Sequence, residues 1–148
     1  MITRHELVGE LPRLIAAAAA PLEVAEFEPQ DFDPERSEQF VRAIRGWKQD
    51  FSSGLHFWVK SLQARGWEGR ESYLLPYAQA GLCEPMSGPE FSRLVAEHSG
   101  SLRKQLPPFI LDLGGFQSGL RMYADWNDVA AVADLDEAYV AFHWSTSA

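Results

Sequence analysis

Four histidines, a single cysteine and a surplus of carboxylates are the residues of this chain that could do chemistry, and their spacing narrows what that chemistry is. His5, His56, His98 and His143 stand far apart, and none lies one helical turn from another or near Cys83, so no tetrahedral metal set is expected. No other cofactor is expected either. Gly114, Gly115 and Gly119 form a glycine-rich bend, but it leads into an expected strand where a phosphate cradle would open a helix, so it reads as a turn. No nucleophile-elbow pattern is present. Cys83, between Gly81 and Pro85, reads either as an exposed thiol or as half-buried filler.

Two constellations remain. The first is His143, flanked by Phe142 and Trp144 in the most strand-like segment of the chain. Lining a pocket, it would act as a general base oriented by Asp112 from a neighbouring strand; the alternative is an ordinary hydrogen-bonded strand residue. The second is acidic. Asp125 and Asp128, then Asp134, Asp136 and Glu137, fall in two successive turns, at the same or at opposite ends of the sheet, with Trp126 among them and Tyr139 just beyond. An acidic rim around an aromatic anchor is how a surface captures a basic partner, and solvated turns account for the same residues without one.

The elements that must position these residues follow from hydrophobic periodicity. Phe40, Ile44, Trp47, Phe51, Leu55, Trp58 and Leu62 recur at helical steps, and Asp33 with Pro34 supplies a start as Gly66 supplies a stop. This predicts one long helix over 34–65, with Ser52, Ser53 and Gly54 as a possible kink. At about 1.5–3 kcal/mol per buried large side chain, its stripe should form a wall of the core. An earlier helix is expected over 4–19, kinked or restarted at Pro12, then an extended segment over 22–32. A loop-rich connection follows Gly66, and a helix capped by Ser87 or Gly88 runs toward Gly100. The C-terminal third predicts strands at Phe109–Leu113, Leu120–Ala124, Val129–Ala133 and Ala138–Trp144. In the last of these Val140, Phe142 and Trp144 share one face and Tyr139, Ala141 and His143 the other. The expected fold is therefore α+β: N-terminal helices, with the long central helix packed on a C-terminal antiparallel meander of three or four strands.

Composition bounds the rest. The 148 residues suit one domain, 46% of them are hydrophobic, and 5 Trp and 9 Phe exclude disorder. A lone cysteine suits a reducing compartment, so the cytoplasm is expected. The apolar run from Leu14 to Ala20 is short, alanine-rich and preceded by Glu6 and Glu10, which reads as an amphipathic helix rather than a signal peptide, and no membrane span is expected. A net charge of −8 disfavours nucleic acid and favours either simple solubility or a basic protein partner. The leading expectation is a protein-binding function without catalysis, of the immunity or antitoxin type, neutralising a basic toxin such as a nuclease. The alternative is a ligand-binding or enzymatic pocket between long helix and sheet, using His143, Tyr139 and Asp112. A third is self-pairing through the edge of the last strand, so monomer and homodimer both stay open.

Overall fold

A computed structural model describes residues 1–33 and 38–147. In chain order the elements are α1 (Arg4–Ala16), β1 (Glu23–Phe27), β2 (Gln39–Trp47), α2 (Gly54–Gln63), α3 (Glu71–Gln79), β3 (Glu84–Met86), α4 (Gly88–His98), α5 (Pro108–Leu111), β4 (Ser118–Asp125), β5 (Asp128–Asp134) and β6 (Ala138–Thr146). The strands form one six-stranded sheet in the order β1-β2-β6-β5-β4-β3, with every pairing antiparallel. The α+β class stands, with more strands than the expected three or four.

Both faces of the sheet are covered, because its central strands carry apolar residues at successive positions rather than at alternate ones. On one face Ile44, Leu120, Met122, Ala130, Val132 and Ala141 meet Leu7, Leu11 and Leu14 of α1, Leu55, Trp58 and Leu62 of α2, and Leu74 and Ala78 of α3. On the other, Val41, Ala43, Val129, Ala131, Ala133, Val140 and Phe142 meet Phe91, Leu94 and Val95 of α4 and Ile110 of α5. The two faces of β6 are those its alternation predicts.

The long helix over 34–65 is the principal correction. Residues 39–47 are β2, Lys48–Asp50 is a single 3-10 turn, Gly54–Gln63 is the one α-helical stretch among the described residues of this segment, and Pro34, Glu35, Arg36 and Ser37 lie outside them. Val41, Ala43 and Ile44 are buried on alternating sides, while Phe40 and Trp47, counted in the helical stripe, are 43% and 40% exposed. Ser52-Ser53-Gly54 is not a kink but a beginning: the Ser53 hydroxyl accepts the His56 amide at 3.1 Å and caps α2. Gly46 lets the strand pass under aromatic rings, since a Cβ there would stand 2.8 Å from Phe57 Cδ1.

Smaller differences follow from local chemistry. Phe109–Leu113 is not a strand, because Pro107 and Pro108 preset the first turn of α5. The loop after Gly66 holds α3 and β3, and α1 passes through Pro12 without restarting. The helix capped by Ser87 is found as expected, with Glu90 closing a capping box. Most consequentially, β6 lies inside the sheet between β2 and β5, so the edge expected for self-pairing does not exist. The strand register shifts in β4 between Arg121 and Tyr123, a bulge that lets the adjacent Met122 and Tyr123 both enter the α1–α3 side of the core.

Candidate functional site

Strand register alone assembles a polar row across the α1–α3 face of the sheet. Glu26 of β1 pairs with Arg42 of β2, Arg42 with His143 of β6, His143 with Ala130 of β5, and Ala130 with Tyr123 of β4. The small side chain of Ala130 leaves room for the Tyr123 ring to lie nearly parallel to His143, centroids 6.3 Å apart. Asp128 stands two residues before Ala130 on the same face of β5.

Around His143 these residues form a closed hydrogen-bond network with two that arrive from the helices. His143 Nε2 is 2.7 Å from Asp128 Oδ1, and the Tyr77 hydroxyl of α3 donates to Asp128 Oδ2 at 2.6 Å. Arg65, just past α2, donates from Nη1 to the Tyr77 oxygen at 3.1 Å. The Tyr123 hydroxyl donates to the Tyr77 carbonyl at 2.7 Å, and the two tyrosine rings stack at 4.3 Å. Arg42 is ion-paired with Glu26 at 3.1 Å.

Electrostatics fix the protonation pattern. Burial is the largest influence on His143 and drives its pKa below the ordinary 6.5; the Asp128 carboxylate pulls it back, and the Arg65 and Arg42 charges press it down again. Burial also pushes the Asp128 carboxyl upward, but hydrogen bonds from His143 and Tyr77 and the charges of His143 and Arg65 outweigh it, leaving the value below 3.8. Burial and the Asp128 charge raise Tyr77 well above the ordinary phenol range. At neutral pH the group is thus a carboxylate, a neutral imidazole and a neutral phenol. An ionised carboxylate only accepts, so the imidazole proton sits on Nε2 and the lone pair on Nδ1. Among the described residues no protein group bonds to Nδ1.

His143 lines a cleft of about 660 Å³, walled by β1, β2, β6, the start of β5 and the α2–α3 connection. Arg42, Arg65, Arg70, Glu26, Glu28, Ser145 and Thr146 line it as well. Among the described residues no cluster of His, Cys, Asp and Glu could hold a metal ion, and no helix is long and apolar enough to cross a membrane.

The sequence candidates are distributed as follows. His143 is central to the network, but Asp112 is not its partner. It ends α5 on the opposite face of the sheet and accepts the Gly114 amide. Asp128 occupies the orienting position instead. The two acidic turns lie at opposite ends of β5, so they do not form one rim. Asp125 and Trp126 are exposed at one end. At the other, Asp134 is ion-paired with Lys48, Asp136 accepts from Gln117 at 2.9 Å, and Glu137 is exposed. Tyr139 is half-buried and stacked on Phe57 at 5.5 Å. Cys83 is half-buried at φ 52°, and burial pushes its thiol up, away from reactivity. Sequence reasoning missed Tyr77, Arg65, Arg42, Arg70 and Tyr123. The Asp128–His143 approach was recoverable, because a short turn between the last two expected strands puts Asp128 opposite Ser145 and diagonal to His143. Tyr77 and Arg65 come from helix packing, which no local signal encodes.

Fold and site together define an α+β protein with a histidine-centred polar cleft at one end of a doubly covered antiparallel sheet. Comparison of the chain with protein-family models, with curated proteins and with solved structures found no match.

Proposed function

We propose that this protein is a binding module for a small ligand, working through the cleft at His143. The observation that carries the reading is the imidazole itself: Nε2 is tied to Asp128 and Tyr77, Nδ1 has no partner among the described residues, and the residue lines the cleft. A ring clamped on one side and kept neutral offers an acceptor of fixed direction to an N–H or O–H of a ligand, and little ordering is left to oppose binding. No hydroxyl or thiol among the described residues bonds to Nδ1, so the support is for recognition more than for activating a protein nucleophile. A thermal-shift screen of small metabolites on the wild type and on His143→Gln tests it. Compounds that stabilise only the wild type are expected; compounds that stabilise both equally would move the site elsewhere.

A second reading, neutralisation of a basic protein such as a toxin, is favoured by Trp126. It is 74% exposed at the tip of the β4–β5 hairpin beside Asp125, the form of an aromatic anchor with acidic flanks. The net charge of −8 would speed encounter with such a partner, and the cytoplasm is the compartment that suits a lone thiol. Recovery from host lysate of a stoichiometric, salt-sensitive basic partner that Trp126→Ala fails to retain would support this reading. Equal retention by the variant would remove the hairpin from it.

A further inference from the structure

The cleft holds more positive charge than its ion pairs absorb: Arg65 helps keep Asp128 ionised but bonds to it only through Tyr77. Arg42 is neutralised by Glu26 and only about an eighth of its side chain is exposed, at 12%. Arg65 and Arg70 differ: among the described residues neither forms an ion pair with a carboxylate, in a chain that has 21 acids to 13 bases. Arg65 spends Nη1 on the Tyr77 hydroxyl, and its other donors bond to no protein acceptor among the described residues. The Arg65 and Arg70 guanidinium groups flank the Trp67 ring, each 5.7 Å from its centroid, which steadies them at the cleft wall.

Guanidinium groups with free donors beside a neutral imidazole acceptor match one chemistry. We infer that the ligand of this cleft is a small molecule with a single oxyanion group, carboxylate or phosphate, held by Arg65 and Arg70, and with an N–H or O–H donor directed at His143 Nδ1. The inference rests on the reading of the cleft as a ligand site and adds the charge of what it takes. A carboxylate at the same cleft sets an upper limit on that charge. Glu28 lines it and is exposed, while Glu26 is already paired with Arg42, so a polyanion such as a nucleic acid backbone would be repelled by Glu28 where a small acid would not. Charge-assisted, forked hydrogen bonds to guanidinium provide the affinity, and the imidazole provides orientation.

Glycolate, inorganic phosphate and the neutral isostere glycolamide, each titrated into the full chain at constant ionic strength, form the test, with the His143 ring resonances read by NMR. Saturable shifts with glycolate or phosphate, and none with glycolamide, are expected, and the arm that saturates at lower concentration identifies the oxyanion. Arg70→Gln, at an exposed position, should weaken the saturating probe about tenfold or more, and Arg65→Gln should do the same. A glycolamide shift equal to that of glycolate would retain the cleft as a site and overturn the anionic ligand. Shifts that track chloride alone, or no shift from any probe, would overturn both.

Discussion

Protonating His143 would place a cation beside Arg42 and Arg65 in a buried setting, and that cost appears in the pH dependence of folding. The folded pKa lies below 6.5, so on acidification the unfolded chain takes up its proton first. Stability from this group is therefore complete above about pH 6.5 and falls as pH drops from there to the folded value, by no more than about 1.4 kcal/mol per pH unit for one proton. His56, also shifted down chiefly by burial, contributes in the same direction. Urea denaturation at pH 7.5, 6.5 and 5.5 should show a shallower slope for His143→Gln than for wild type, the difference isolating His143. Asp128 acts lower, since its depressed carboxyl loses its contribution only as pH falls below 3.8. Tyr77→Phe removes the hydroxyl that donates to Asp128 and accepts from Arg65. It should cost about 1–3 kcal/mol in denaturation and move the Asp128 carboxyl titration upward by NMR.

At the scale of elements, the segment from Phe40 to Leu62 shows what a period can and cannot decide. Its apolar residues fit helical steps, yet Val41, Ala43 and Ile44 also fit a strand buried on both sides, and tertiary cover decides between them. Ser53 and Gly54 were the local signal of a break, and an unbroken apolar register masked it. The last three strands were legible because each is bounded by turn residues and their connections are short. Of the site, His143 alone was read in its place; Asp128 was read as part of an acidic turn, although the meander puts it beside His143. Substitutions separate the two halves of the misread segment. Trp58→Ala, at a side chain 1% exposed, should cost about 3–5 kcal/mol, whereas Trp47→Ala, 40% exposed, should cost about 1 kcal/mol or less by chemical denaturation. Gly46→Val should cost about 1–3 kcal/mol, because Phe57 already fills the space a side chain needs.

Across the whole molecule, β5 and β6 contribute residues to both cores at once: Ala130, Val132 and Ala141 to one, Val129, Ala131 and Phe142 to the other. Neither face can loosen without disturbing strands that the other needs. Tryptophan fluorescence and far-UV circular dichroism should therefore report one coincident urea transition, and separated midpoints would show the two faces melting independently. The interior position of β6 also shapes the birth of the protein. Trp144 and Gln39, joined by a hydrogen bond between neighbouring strands, are 105 residues apart. A growing chain must carry β2 with one side unclaimed until that much more polypeptide has been translated, so the nascent N-terminal half depends on shelter, from the ribosome or from chaperones, before it can close its sheet.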